Sequence, residues 1–263
     1  MEFELSQIVH KYPKQVHILN SGYLNTLLTK ISQSQTVQPE FNILVTKVYR
    51  DLLIQVLDNE WPKHQATVPT RMTEMHPEQK LTNWVFDNQQ KAVCVDVARA
   101  GMVPSQVIFD MVNHFTNPEG VRQDHVFASR MTDKNNKVTH TSLSSSKIGG
   151  DVEDALVFLP DPMGATGNSL CEVVNHYKEH VPGKAKRYIS VHLIVTPEFI
   201  KKVTETHPDV HIYAVRVDRG FSSEEALKAT PGQLWDQERG LNENDYIVPG
   251  AGGVGELINN SFV

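Results

Sequence analysis

The segment 156–169 combines residue types and spacing that suit the binding of a charged small molecule. Residues 156–159 are apolar, as in a buried strand, and Asp161 follows one residue after them. A helix is predicted to begin at about Asn168. The loop between the strand and the helix contains three small residues, Gly164, Ala165 and Gly167. These residues leave room for a ligand to approach the backbone closely.

The ligand that this loop favours is a ribose 5-phosphate. Free N–H groups of a first helical turn form an anion site with the positive end of the helix dipole, and Thr166 and Ser169 add hydroxyl donors. A phosphate would be repelled by Asp161, whereas a carboxylate accepts two hydrogen bonds from a vicinal diol. We therefore predict that Asp161 binds the sugar diol and that the backbone of 165–169 binds the phosphate. The simpler alternative is an ordinary turn in which Ser169 caps the helix.

Four apolar, β-branched runs predict the strands that would position this loop. They are 92–97, 155–159, 188–195 and 210–215. Such runs are typical of strands that are buried on both faces, as in parallel sheets. Segments with helical spacing separate or precede them at 40–60, 104–114, 168–180 and 197–206. Because strand and helix alternate, we predict an α/β fold with a mostly parallel sheet flanked by helices.

Two further segments are interpreted as appendages of this sheet. Asn135 and Asn136 form a turn signal between two extended runs, so 124–147 is predicted to be a β-hairpin arm. Residues 1–38 are only weakly periodic and are interpreted as an N-terminal extension. The remaining residues, 39–263, are predicted to form a single domain.

The composition argues against several classes of protein. The chain has 25 basic and 31 acidic residues, a net charge of −6, which does not favour nucleic-acid binding. No apolar run approaches the ~20 residues of a membrane span, and no secretory signal is evident. Cys94 and Cys171 lie in apolar runs, as expected of reduced thiols in a cytoplasmic protein. His176 and His180 are four residues apart but lack a third ligand, so no protein-held metal is predicted.

The segment 161–169 resembles the loop that binds phosphoribosyl diphosphate (PRPP) in uracil phosphoribosyltransferases, a group with the type I phosphoribosyltransferase fold. Three other segments resemble motifs of that family in the same order: 98–102, 207–210 and 240–256. The resemblance covers roughly residues 40–258, most of the chain, and its four ordered motifs make it specific for the fold. It also implies an insertion at 220–240 and a small C-terminal hood, 241–263, that recognises the base.

The resemblance implies an enzyme that joins uracil to PRPP and yields UMP and pyrophosphate, with Mg²⁺ on the substrate. It implies that Asp161, Arg99 and Arg130 are catalytic, the two arginines at the pyrophosphate. The implied PRPP-binding residues are Arg99, Ala100, Gly101, Arg130, Asp161, Pro162, Met163, Gly164, Ala165, Thr166, Gly167, Asn168 and Ser169. The implied base-binding residues, acting largely through their backbone, are Tyr246, Ile247, Gly252, Gly253 and Val254. The family also implies a homodimer or a larger homo-oligomer.

Departures from the family pattern leave alternatives open. The family's Gly-Asp-Ala is replaced by 252–254, Gly-Gly-Val, so an aspartate that is associated with PRPP or metal near the reacting carbon is missing. The Arg99 loop gains Pro104, and the insertion is interpreted as a lid or a contact surface. One alternative is a non-catalytic homologue that binds PRPP or UMP. The other is phosphoribosyl transfer to a different nucleobase.

Overall fold

The computed structural model describes residues 5–132 and 138–261, and within 128–142 it describes the backbone alone. The helices are α1 (Gly22–Ile31), α2 (Glu40–Glu60), α3 (Met102–Asn113), α4 (Asn168–His180), α5 (Pro197–Thr206), α6 (Glu224–Lys228) and α7 (Val254–Asn259). The strands are β1 (Val16–Ile18), β2 (Lys63–Val68), β3 (Leu81–Phe86), β4 (Ala92–Ala98), β5 (Val121–Thr132), β6 (Val138–Lys147), β7 (Leu156–Pro160), β8 (Met163–Gly164), β9 (Arg187–Val195) and β10 (Val210–Val217). The four predicted strands and the predicted helices are present within a few residues of their expected bounds.

The central sheet has the strand order β1-β10-β9-β7-β4-β5-β6, with β8 paired to β9. All of its pairs are parallel except β5 with β6, which is antiparallel. A separate antiparallel hairpin joins β2 to β3. The predicted α/β fold with a mostly parallel sheet flanked by helices is therefore confirmed. The edge strand β1 comes from the segment interpreted as an N-terminal extension, and it pairs with residues 212–214 of β10.

Two hydrophobic cores lie on the two faces of the sheet. One core contains the buried faces of α1, α2, α3 and α7, and the other contains those of α4 and α5. Successive residues of a strand point to opposite faces, so strands covered on both sides consist almost wholly of apolar residues. Residues 156–160 of β7 are all buried, as are 188–195 of β9.

Helix α5 begins at the sheet edge with residues that are typical of a helix N-terminus. The Thr196 hydroxyl accepts a 3.0 Å hydrogen bond from the Phe199 amide, and Pro197 occupies the first helical position of α5. In α2, apolar residues at helical spacing form one buried face, and among them Phe41, Val45 and Val48 are fully buried.

No helix in residues 5–132 and 138–261 is long and apolar enough to cross a membrane.

Candidate functional site

A cavity of about 580 Å³ lies at the carboxyl ends of the central parallel strands. Ligands of open parallel sheets bind at this edge of the sheet. Three separate segments line the cavity: the end of β4 with the following loop, the loop after β7, and the hood. The lining residues are Val97, Ala98, Arg99, Ala100, Asp161, Met163, Ala165, Ser169, Asp245, Tyr246, Ile247, Gly252, Gly253, Val254, Gly255 and Glu256. Three of the motifs singled out in the sequence therefore meet in one place.

The loop after β7 is held to the sheet through its carbonyl groups. The Gly164 and Ala165 carbonyls accept hydrogen bonds from the Thr196 amide at 3.1 Å and the Thr196 hydroxyl at 2.6 Å. A side chain at Gly164 would lie within 2.9 Å of Val195 and 3.1 Å of the Phe199 ring. Gly167 has a left-handed backbone, with φ of 82°, immediately before α4. Both glycines are therefore required by the path of this loop.

Three consecutive amides of this loop, those of Ala165, Thr166 and Gly167, donate to no acceptor among the described residues. The next amide, that of Asn168, has only a 3.4 Å contact to the Thr166 hydroxyl. Adjacent free N–H groups at the start of a helix, here one of thirteen residues, are an arrangement that binds anions in proteins. The loop is thus not an ordinary turn whose amides are consumed internally.

Asp161 lies between β7 and β8, and both its amide and its carbonyl form hydrogen bonds to residues of β9. Its amide donates to the Val191 carbonyl at 3.1 Å, and its own carbonyl accepts a 2.6 Å hydrogen bond from His192 Nδ1. Asp161 Oδ1 also accepts a 3.2 Å hydrogen bond from the Met163 amide. Burial lowers the pKa of His192 to about 4, against the effect of the Asp161 carbonyl, so this imidazole is neutral at pH 7. A neutral ring with a proton on Nδ1 is the form that can make this bond.

The Arg99 loop packs directly against the strand that leads to Asp161. An added Cβ at Gly101 would lie 2.8 Å from the Val97 amide nitrogen and 3.0 Å from the Pro160 carbonyl oxygen. Only glycine allows these backbones to approach so closely. The exposed Arg99 side chain donates a 2.9 Å hydrogen bond to the Ser261 hydroxyl. Arg130 belongs to β5, and its side chain lies outside the described residues, so its predicted place at the cavity stays a prediction.

The hood segment is fixed by two buried or half-buried acids. The Glu198 carboxylate, in the first turn of α5, accepts hydrogen bonds from the amides of Gly240 at 3.0 Å and Leu241 at 3.3 Å. The Asp218 carboxylate accepts a 2.8 Å bond from the Gly250 amide. Between these points, the predicted base-binding residues Tyr246 and Ile247 reach the cavity wall.

Residues 252–254, where the family pattern has an aspartate and this chain has none, lie next to the carboxylate of Glu256. Val254 is buried and begins α7, while the backbone of Gly253 lines the cavity. The Glu256 carboxylate lies where a side chain on Gly253 would begin, with its Cδ at 3.1 Å from that position. The sequence pattern alone did not reveal this contact.

The insertion 220–240 packs away from the cavity. Glu238 is buried and accepts hydrogen bonds from Tyr12 Oη at 2.5 Å and Arg219 at 2.7 Å. The Trp235 indole donates a 3.2 Å bond to the Pro197 carbonyl. No residue of 220–240 lines the cavity, so in this structure the insertion is a contact surface for the N-terminal segment and α5.

Two groups of side chains outside the cavity contain residue types that can bind a metal ion. The His176 and His180 rings stack at 4.9 Å on α4. Among the described residues, the only group of three or more possible metal ligands is His17, Glu60 and His211. Arg187 donates a 2.7 Å hydrogen bond to His211 Nε2 and forms a 3.2 Å ion pair with Glu60. This group is therefore an ion-pair network that already contains its cation.

Sequence reasoning did not single out several residues that shape the cavity. They are His192, Glu198, Asp218, Asp245 and Glu256. A signal existed for His192, which is a polar residue inside an otherwise apolar strand. For the acids there was none: Glu198 and Asp218 bind backbone amides far away in the sequence, and Asp245 and Glu256 reach the cavity only through the fold of the hood.

Comparison with known proteins identifies the family. The family model described as uracil phosphoribosyltransferase matches residues 18–236. The uracil phosphoribosyltransferase of Shouchella clausii is 29% identical over 252 residues, which cover 93% of this chain and 97% of that protein. That of Thermococcus kodakarensis is 25% identical over 239 residues, 90% of this chain and 86% of that protein.

Solved structures agree in fold. A protein of Aquifex aeolicus superposes with a TM-score of 0.68 at 17% identity, covering 92% of this chain and 97% of its own. The adenine phosphoribosyltransferase of Trypanosoma brucei gives 0.51 at 12% identity, covering 88% and 96%. At 17% and 12% sequence identity, these superpositions establish the fold alone. Because the family match spans most of the chain and the fold agrees with it, this protein is an enzyme of the uracil phosphoribosyltransferase family.

Proposed function

We propose that this phosphoribosyltransferase acts on uracil and PRPP and releases UMP and pyrophosphate. The observation that carries the proposal is the convergence of three segments on one cavity of about 580 Å³. One segment offers three free amides for a phosphate, one carries an arginine, and one presents backbone groups. A nucleotide 5′-monophosphate consists of a phosphate, a sugar and a base: the amides would bind the phosphate, Asp161 the sugar and the hood backbone the base, while the arginine would face the diphosphate of PRPP.

In the proposed complex, the 5-phosphate binds the amides of Ala165, Thr166 and Gly167. The Asp161 carboxylate accepts hydrogen bonds from the ribose diol, and Met163 and His192 hold that residue in place. Fixing the sugar at two points places its anomeric carbon in a defined position. In catalysis by orientation, the fixed position of the anomeric carbon matters more than the presence of a reactive side chain.

The bond that breaks joins the anomeric carbon to the diphosphate oxygen, which leaves with the electron pair. The bond that forms joins the same carbon to N1 of uracil, whose proton passes to the departing diphosphate or to solvent. Arg99, at the cavity wall, would stabilise negative charge on the departing diphosphate, and Arg130 is proposed for the same role. Backbone groups of Tyr246, Ile247 and 252–254 would bind the edge of the base.

The cavity also suits the Mg²⁺ ion that the family implies. Its lining offers carboxylates for an ion, those of Asp161 and Asp245, and no histidine or cysteine of the described residues lines it. Hard oxygen donors of this kind are the ones that Mg²⁺ prefers. Bound jointly with the diphosphate, the ion would neutralise charge on the leaving group.

The homo-oligomer and the cytoplasmic location stay predictions. Light scattering of the purified protein would measure its oligomeric state.

The experiment measures pyrophosphate release from PRPP and Mg²⁺ with uracil, cytosine, adenine, guanine and hypoxanthine in separate reactions. We expect release with uracil and formation of UMP. Release with another base alone would replace uracil by that base. Binding of PRPP or UMP without release would make the protein a non-catalytic binder, and neither binding nor release would reject the proposal.

A further inference from the structure

We propose that Glu256 supplies the negative charge beside the reacting ribosyl carbon, and that residue 253 is glycine because the Glu256 carboxylate occupies the space of its side chain. This inference rests on the proposed function. It concerns two residues that are close in the fold and line the same cavity.

Residue 253 lacks a side chain because of its neighbour and not because of its backbone conformation. Its backbone has φ of −77° and ψ of 77°, so φ is not in the left-handed region that favours glycine. The space beside its Cα is instead filled by Glu256, whose Cδ and Cγ lie 3.1 and 3.7 Å from the position of an added Cβ. The side chain at 253 is therefore excluded by a neighbouring carboxylate.

The surroundings of the Glu256 carboxylate offer it no partner among the described residues. Glu256 is half-buried in the cavity wall, and its carboxylate forms no hydrogen bond or ion pair within the part of the chain that the structure describes. Buried or half-buried carboxylates in proteins usually have such partners. An acceptor that faces a cavity without a protein partner is available to a ligand.

The packing of α7 places the Glu256 carboxylate relative to the three proposed subsites. Helix α7 follows the hood segment directly and packs on the Arg99 loop: an added Cβ at Gly255 would lie 3.5 Å from the Ala100 side chain. Asn259 also donates a 3.3 Å hydrogen bond to the Arg99 carbonyl. Glu256 is thus carried between the segment proposed for the base and the loop proposed for the diphosphate, where the anomeric carbon must lie.

The chemistry at that carbon explains the use of a carboxylate. As the diphosphate leaves, the ribosyl group develops positive charge before the base attacks. A fixed negative charge stabilises this transition state more than the neutral ground state, so it raises kcat and leaves the binding of PRPP nearly unchanged. Loss of the Glu256 charge should therefore lower turnover without a matching loss of PRPP affinity.

The test compares Glu256→Gln, Glu256→Ala and the double variant Gly253→Asp/Glu256→Ala with the wild type, with Glu243→Gln as control. Glu243 is an exposed acid of the same hood that does not line the cavity. The readouts are kcat with uracil, the dissociation constant of PRPP by calorimetry at several Mg²⁺ concentrations, and thermal unfolding. Glu256→Gln conserves shape and removes the charge, so it remains informative if the alanine variant is unstable.

We expect Glu256→Gln to lower kcat by about 10- to 100-fold with PRPP affinity changed less than about twofold. In the double variant, an aspartate occupies the vacated space and recovers at least about tenfold of the loss in Glu256→Ala, while Glu243→Gln is unchanged. An unchanged kcat in Glu256→Gln would overturn the inference. So would a double variant that is folded but no better than Glu256→Ala, or a changed Mg²⁺ dependence of PRPP binding as the sole effect. Absence of PRPP turnover in the wild type would instead reject the proposed function.

Discussion

The Gly250 amide donates a 2.8 Å hydrogen bond to the Asp218 carboxylate, which ties the hood to the end of β10. The same carboxylate accepts two bonds from Arg216, at 2.5 and 2.9 Å, and Arg216 in turn donates to the Gly250 carbonyl at 3.1 Å. Gly250 has φ of 62°, so the turn that it forms is one that other residues adopt only with strain. The proposed base-binding segment is therefore positioned by a charged pair at the sheet edge.

Replacing Asp218 by alanine should destabilise the fold strongly. The variant leaves the half-buried Arg216 without its anion and the Gly250 amide without its acceptor. We expect a loss of about 3–5 kcal/mol in the free energy of unfolding, measured by urea titration. The control is Asp236→Ala, whose ion pair with Lys201 involves a carboxylate that is 93% exposed. That change should cost less than about 0.5 kcal/mol. Equal losses in the two variants would contradict this account of the hood.

Gly101 should not tolerate a methyl group. Its added Cβ would collide with backbone atoms of Val97 and Pro160, and backbone cannot move aside cheaply. We expect Gly101→Ala to cost about 1–3 kcal/mol of stability and to weaken PRPP binding, because the Arg99 loop must shift. Gly22→Ala is the matched control, since nothing lies within 4 Å of its added Cβ at the start of α1. It should be neutral or slightly stabilising. Equal effects at both glycines would count against the close packing of the two loops.

The Glu60 network predicts a specific loss of stability in acid. Burial alone would raise the pKa of Glu60, but hydrogen bonds from His211 and Tyr213 and the charge of Arg187 together lower it below the ordinary 4.5. A group whose folded-state pKa is lowered stabilises the fold above the unfolded pKa, and this stability is lost as pH falls through the folded pKa. The stability difference between wild type and Glu60→Gln should thus be full at pH 7 and shrink below about pH 4.5. Urea unfolding over a pH series measures it; a difference independent of pH would refute the role assigned to the Glu60 charge.

The sheet could be predicted because its strands are buried on both faces. Residues 156–160 and 188–195 are apolar runs with few polar interruptions, so composition alone distinguishes them. The β2–β3 hairpin was not predicted, since residues 63–68 and 81–86 are mostly exposed and show no regular alternation of buried and exposed residues. The edge strand β1 has only three residues, too few for a periodic signal.

The candidate site could be predicted only where its chemistry is local in sequence. Asp161 and the amides of 165–167 lie in one loop, so their association follows from chain connectivity. The contact of Glu256 with Gly253 depends on a side-chain direction, and Asp218 reaches Gly250 across 32 residues. Such relationships require the packing of α7 and β10, which no spacing rule specifies.

Asp161→Asn should weaken the binding of UMP and PRPP while leaving the fold intact. Asparagine keeps an oxygen for the Met163 amide, but it lacks the charge that strengthens hydrogen bonds from the ribose diol. We expect about a 10- to 100-fold rise in the dissociation constants of both ligands by calorimetry. Asp236→Asn, which alters an exposed carboxylate outside the cavity, should bind both ligands as the wild type does. Unchanged affinity in Asp161→Asn would remove its role at the diol.

A crystal structure with bound UMP tests the central claim most directly. We expect the phosphate within hydrogen-bonding distance of the amides of Ala165, Thr166 and Gly167, and the ribose diol on Asp161. The uracil ring should contact the backbone of Tyr246 and Gly252. A phosphate bound elsewhere, with these amides still unoccupied, would contradict the account.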